Sequence, residues 1–456
     1  MSTKSSKFAN DFYAVRSRRI VTPRGLIDGF VVIDRGLIQS VTAELPSGGR
    51  IYDAQDLVVM PGLVDTHVHV NEPGRTEWEG YASATRAAAA GGITTLVDMP
   101  LNCIPVTTSL AAFEIKLQAL VGKLHIDCGF YGGLVPGNQG ELAPMAKRGV
   151  LGFKAFMVHS GIDDFPEVTS SDLDRGMAEI ARLNVPLLVH AELEAPLAQA
   201  LPLSTYPEPY SRFLASRPHQ WEDQAVQMLI EKSGHSRCRV HVVHLSSADA
   251  VPYLSAARRA GVPISAETCP HYLTFAAEDI RDGDTRFKCA PPIRERANQD
   301  RLWRSLQDQE IDFVVSDHSP CAPHLKLMER GDFDAAWGGI AGLQFGFSSV
   351  WTGARNRGVP LTQLASWMSE RPAALVGLKG RKGVIAAGAD ADLAVIDPDK
   401  HQVIIPERIH HRHKVTPYEG RDMYGVVEAT FVRGALVYER GVFPGEPLGR
   451  PVLRHV

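Results

Sequence analysis

From about residue 60 to residue 370 the chain repeats one pattern: a short β-branched apolar run, a polar or glycine-bearing turn, then a longer stretch with apolar positions at helical spacing. The runs end near His69 (VVMPGLVDTHVH), Asp98 (ITTLVD), Gly132 (IDCGFYGG), Lys154 (VLGFKAF), His190 (VPLLVH), His244 (RVHVVH), Glu267 (VPISAE) and Asp317 (IDFVVSD). Helix-like stretches such as Glu79 to Ala90 and Trp221 to Lys232 lie between them. Eight strands of this kind suffice to close a parallel (β/α)8 barrel. An open doubly wound sheet would instead carry a glycine-rich phosphate turn after its first strand, and none stands there.

The flanks follow a different rhythm. Phe12 to Val41, Lys382 to Asp397 and Gly425 to Val442 alternate apolar and polar residues over short runs broken by glycine, the pattern of antiparallel strands. Neither end is long enough to bury a two-sheet core alone, so the two are expected to meet in one small β-sandwich. The expected fold is thus α/β, a TIM-like barrel (59–374) inserted in a β domain made of residues 1–58 and 375–456.

Composition narrows the function classes. The chain has 456 residues, 44% hydrophobic and 22% charged, which is ordinary globular composition. Its 48 basic and 52 acidic residues are mixed along the chain, for a net charge of -4, so neither nucleic acid nor an anionic membrane is an expected partner. The opening MSTKSSKFANDFYAV lacks the apolar core of a signal peptide, and no segment reaches the length of a membrane span, so a cytoplasmic location is expected. The six cysteines form no CxxC pair and read as reduced thiols, with Cys103, Cys289 and Cys321 packing or lining a pocket.

The chemistry collects at the strand ends, where a barrel places its active site. His67 and His69 lie two residues apart on a strand and so share a face. Lys154, His190, His244 and Asp317 stand at or near the ends of four further runs. Any one of them has a plain structural role open to it, such as capping a helix or bonding a carbonyl. Together they aim four imidazoles, a carboxylate and an amine at one cavity. A buried ammonium repels a cation. If the Lys154 amine loses its proton and adds carbon dioxide, however, it becomes an anionic carbamate able to bridge two ions. Two divalent ions would activate water and polarise a carbonyl, which suits hydrolysis of an unactivated amide, with Asp317 handling the proton. Zinc, cobalt, nickel and manganese all suit such ligands.

This set, with ETCPHYL (Glu267 to Leu273), the PPIR turn (Pro291 to Arg294), SDHSP and GADADLAVID, resembles the amidohydrolase superfamily over nearly the whole chain. The similarity is to the branch that holds dihydroorotases, hydantoinases and allantoinases. It implies that His67, His69, Lys154, His190, His244 and Asp317 bind two metals, that Lys154 is carboxylated, and that the chain forms a homotetramer, with a dimer as the alternative. Within the branch, dihydroorotases place arginine, asparagine and histidine where this chain has Asn71, Ala290 and Cys321, so an anionic ring would meet little positive charge. Hydantoinases carry a tyrosine where this chain has His159. The segments HVHVNEPGRTEWEG, DMPLNCIPVTT, KAFMVHSGIDDFP and KCAPPIR are most similar to the allantoinase group. That likeness implies a neutral, ureido-rich substrate, allantoin, opened to allantoate. Asn71, Asn102, Ser160 and Ala290 are the positions expected to face it. Homologues of this branch that serve as scaffolds have lost metal ligands; this chain keeps all six. His271 and His318 are expected to support the ligands, and His410, His411 and His413 to form a solvated stretch.

Overall fold

The computed structural model describes residues 13–44 and 49–454. Phe12, where the N-terminal β pattern begins, lies outside the described residues. Strands β1 (Ala14–Thr22), β2 (Gly25–Asp34), β3 (Leu37–Thr42), β4 (Ile51–Asp53) and β5 (Val58–Pro61) come first. The barrel strands follow: β6 (Leu63–Val68), β7 (Ile93–Asp98), β8 (Asp127–Phe130), β9 (Gly132–Gly133), β10 (Phe153–Phe156), β11 (Leu187–His190), β12 (Val240–Val242), β13 (Ile264–Thr268) and β14 (Phe313–Val314). The chain returns to the terminal sheet through β15 (Leu393–Val403), β16 (Asp422–Val432) and β17 (Ala435–Glu439).

All barrel pairings are parallel. β8 and β9 are one run interrupted at Tyr131, whose N–H donates to the Asp98 carbonyl at 3.0 Å. The ring closes past the short β14, where Val68 and His318 form a parallel bridge and the His69 N–H donates to the His318 carbonyl at 2.8 Å. The strand runs are apolar and buried on both sides, as a helix-covered parallel sheet requires.

The helix Ser170–Leu183 shows how sequence dictates an outer element. Thr169 caps its N-terminus by accepting from the Asp172 N–H at 3.2 Å, and the Asp172 carboxylate accepts from the Thr169 N–H at 3.0 Å. Leu173, Gly176, Met177 and Ile180 face inward, and Asn184 ends the helix in the left-handed conformation. At Gly176 a Cβ would stand 2.5 Å from a Leu134 methyl, so glycine lets the helix lie against the barrel. The stretch read as helical from Glu79 starts two residues later, at Tyr81, because Gly80 is extended.

The terminal strands join in the order β17, β16, β15, β5, β1, β2, β3, with β4 beside the first half of β1. Both ends of the chain supply its core, for example Val15, Val31 and Val59 with Leu393, Val395 and Phe431. This sheet is tied to the barrel by charge. Lys382 Nζ lies 2.7 Å from Asp127 of β8, 2.9 Å from Asp390 and 2.6 Å from Asp392, with its side chain fully buried. Arg433 also pairs with Asp127. Replacing Lys382 by methionine is expected to cost about 3–5 kcal/mol, because carboxylates are left buried with too few cations. A lower denaturant midpoint with unchanged slope would show it. An unchanged midpoint would mean that the pairs contribute nothing net.

Among the described residues no helix is long and apolar enough to cross a membrane.

Candidate metal centre and active site

The strand ends converge on one cavity of about 200 Å3. His67, His69, Lys154, His190, His244 and Asp317 all line it. The histidine rings form a continuous chain: His69 to His67 at 5.5 Å between centroids, His67 to His244 at 5.5 Å, and His244 to His190 at 4.5 Å. Asp317 Oδ1 lies 3.2 Å from His67 Nε2 and 3.4 Å from His69 Nε2. Lys154 Nζ sits 4.7 Å over the Phe156 ring, which in turn stacks on His190.

Each candidate ligand is placed by a specific device. Lys154 is the second residue of β10, and the strand runs on to Phe156 rather than ending at the lysine. His244 and Asp317 lie beyond the last residues of β12 and β14, with φ of 40° and 44°. These left-handed conformations are costly for side chains with a Cβ, so the surrounding bonds must enforce them. Glu267 Oε1 accepts from the His244 N–H at 3.4 Å, and Asp65 accepts from the Ser316 N–H at 3.1 Å.

The imidazoles are set up as lone-pair donors. His67 Nδ1 is 2.5 Å from Glu267 Oε1, which makes it the protonated nitrogen and leaves Nε2 open. His190 Nε2 does the same to Glu192 at 2.6 Å, leaving Nδ1. Burial holds His67, His190 and His244 below the usual histidine range, hence neutral, as metal ligation requires. Burial also pushes the Lys154 ammonium down to about 7. For Asp317 burial acts upward, but the facing His67 ring and the hydrogen bond from His69 outweigh it and hold the carboxyl below its usual range. His67 Nε2, His69 Nδ1, Lys154 Nζ and His244 Nδ1 are buried with no hydrogen-bond partner. Several orphaned nitrogens around one carboxylate fit bound cations and fit little else.

Asn102, Ser160 and Ala290 line the cavity. The Ser160 hydroxyl is engaged by the Phe165 carbonyl at 2.6 Å and the Ile162 carbonyl at 3.1 Å, so it offers a lone pair rather than a proton. Asn71 is not part of the lining; it is fully buried, with its Nδ2 donating to the Pro320 carbonyl at 3.1 Å, and it fixes the loop after Asp317. Two cations also line the cavity, contrary to the expectation of little positive charge. Arg217 is neutralised by Glu192 at 2.6 Å. Lys288 donates to the Asp334 and Ala336 carbonyls at 3.0 and 2.6 Å, and burial, then the charge of Lys326, push it down to about 8. Sequence runs did not reveal these residues because both come from irregular segments. The same holds for Trp337, a lining residue whose buried indole N–H has no partner.

The His318 carbonyl accepts from the His69 N–H, while its ring faces away, with Nδ1 accepting from the Gly342 and Leu343 N–H groups. The expected solvated stretch divides. His413 is half-buried, with its Nε2 2.7 Å from the Glu77 carbonyl, but His411 is fully buried, with its ring 5.5 Å from that of His318.

Residues 58–437 match the amidohydrolase family model, and residues 8–55 match the allantoinase composite domain. The chain belongs to the amidohydrolase family. This amidohydrolase is 50% identical to an allantoinase of Streptomyces avermitilis over 96% of its own length and 98% of the relative's. It is 43% identical to the allantoinase of Arabidopsis thaliana, over 98% and 92%. Among solved structures it superposes on the L-hydantoinase of Arthrobacter aurescens with a TM-score of 0.92, at 30% identity, covering 97% of this chain and 100% of that one. The amidohydrolase is accordingly a hydrolase, and its residue clusters suit divalent metal.

Proposed function

We propose that this amidohydrolase opens the ring of allantoin by hydrolysing its cyclic amide bond to give allantoate. The observation that carries the reading is the allantoinase composite domain over residues 8–55, supported by full-length allantoinase relatives. In this reading two divalent ions, zinc or else cobalt, nickel or manganese, are held by His67, His69, Lys154, His190, His244 and Asp317, with Lys154 carrying carbon dioxide as a carbamate. Bound ions supply an acidified water and a polarised carbonyl. The rest is the work of side chains. Asp317 takes the proton of the attacking water and returns it to the leaving amide nitrogen as the C–N bond breaks. Glu267 and Glu192 hold His67 and His190 in the tautomers that face the cavity. Asn102, Ser160 and Trp337 offer polar contacts to ureido groups, while Ala290 contributes wall and Asn71 shapes the site through Pro320.

A panel of allantoin, hydantoin, dihydrouracil and dihydroorotate, assayed with zinc or cobalt and bicarbonate, tests the reading. Allantoin is expected to be the best substrate by kcat/KM. Preferential hydrolysis of hydantoin or dihydrouracil would establish instead the second reading, a hydantoinase, which the superposition on the Arthrobacter enzyme favours. Within the first reading, Trp337→Phe keeps the ring and deletes the N–H. It is expected to raise KM for allantoin about 3–10-fold with little change in kcat, the effect of one lost hydrogen bond.

The proposal includes a cytoplasmic homotetramer and a division into a barrel (59–374) and a β domain of residues 1–58 and 375–456. Family resemblance supports the first and the element order the second. Sedimentation of the purified chain tests the tetramer.

A further inference from the structure

Beside the cavity lies a second group of metal-binding atoms, which shares Asp317 with the proposed ion pair but adds Cys269 and His271, two residues that pair leaves unused. Cys269 follows directly on β13, and His271 stands in the short helix Pro270–Thr274. A ligand atom from each, together with a carboxylate oxygen of Asp317, lies within 4.8 Å of the others. Two ligands of a tetrahedral zinc, one sulfur and one nitrogen, stand about 3.6 Å apart, so one ion spans this group with little adjustment. Cys269 and His271 are fully buried. Neither ring nitrogen of His271 has a hydrogen-bond partner, and the ring is held edge-on against Tyr272 at 4.3 Å. Among the described residues one more such group stands away from the cavity, Asp127 with Asp390 and Asp392, and the Lys382 ammonium already fills it. Nothing comparable fills the group at His271.

We propose that Cys269, His271 and Asp317 form a third, inhibitory metal site that takes a thiophilic divalent ion such as cadmium or excess zinc. The ion reaches it through the cavity that Asp317 lines. On binding, the Cys269 thiol gives its proton to solvent as the sulfur–metal bond forms, and His271 contributes a lone pair; no electron is transferred. Asp317, engaged from this side, is withdrawn from proton transfer. The site itself does not depend on the allantoin reading, whereas the loss of turnover does.

The test is titration of the metal-loaded holoenzyme with cadmium chloride, following the ultraviolet charge-transfer band of a cadmium–thiolate bond. The expected result is a band that saturates at one equivalent per chain, with allantoin hydrolysis falling about tenfold or more alongside it. Cys269→Ser is expected to lose both the band and the inhibition and to retain basal hydrolysis. Cys289→Ser, which removes a thiol that lines the cavity, is expected to keep both. His271→Asn, a second route should the serine variant misfold, is expected to weaken cadmium about 10–100-fold. No band, a band that survives Cys269→Ser, or one that Cys289→Ser abolishes would overturn the proposal. The spectroscopic readout needs no substrate, so a wild-type protein inactive on allantoin but showing the band would sink the function reading and not this site.

Discussion

Lys154→Ala is expected to abolish metal loading and to lower kcat/KM by about 10^3-fold or more, since the ions' share of transition-state stabilisation is several kcal/mol. The argument starts from burial. Lys154 is fully buried, and its nitrogen has no hydrogen-bond partner. An ammonium in that position would repel any ion placed among His67, His69, His190 and His244. Burial brings its pKa to about 7, so at neutral pH a large share is the free amine, the form that can add carbon dioxide. At pH 6 only about one tenth is neutral, and each further unit down costs about another factor of ten. Reconstitution of metal-free protein with zinc and bicarbonate should therefore slow as pH falls below 7 and level off above it. The linked stability runs the same way. Native Lys154 binds fewer protons than the unfolded lysine between about 7 and the ordinary lysine value, so the metal-free protein gains stability as pH rises through that window. Metal content by elemental analysis is the decisive readout. A Lys154→Ala protein that retained two ions and full turnover would refute the bridging role; rescue of the variant by added short carboxylic acids would support it.

Much of this was legible before any coordinates. The eight apolar runs correspond to the barrel strands, because a strand buried on both faces must be written in a continuous β-branched alphabet that periodicity can find. The cavity-lining histidines, lysine and aspartate were legible because strand ends are where a barrel puts chemistry, and His67 and His69 share a face by geometry alone. What the pattern could not carry was anything set by irregular backbone. His244 and Asp317 sit past their strands in left-handed turns that no apolar run announces. Trp337 and Lys288 enter the cavity from segments without repeating structure. Asn71 has the right chemistry for a ureido group, yet it lies outside the cavity lining, with its Nδ2 donating to the Pro320 carbonyl, a partner 249 residues away in sequence. Burial was likewise invisible for His411, since a histidine-rich run reads as polar whether or not an aromatic wall covers one member.

Asp317→Asn is the sharper probe of mechanism, because it keeps shape and removes charge and basicity together. Asp317 Oδ1 stands 3.2 Å from His67 Nε2 and 3.4 Å from His69 Nε2, so in the proposed mechanism the residue serves both as ligand and as base for the attacking water. The carboxyl is held below its usual range: burial opposes ionisation, but His67 and His69 favour it more. It is therefore ionised throughout the neutral range and free to take a proton. The amide in Asp317→Asn cannot take one. A fall in kcat of about 10^3 to 10^4 is expected, with a smaller change in KM, because the lost interaction exists mainly while the proton is moving. The left-handed backbone at this position tolerates asparagine as well as aspartate, so misfolding does not confuse the outcome. Two measurements separate the residue's roles. If the variant keeps its metal content and loses turnover, proton transfer is the main contribution; if metal and turnover vanish together, ligation is. A variant that kept both would remove Asp317 from the mechanism altogether and leave the proton to be carried by some other group lining the cavity.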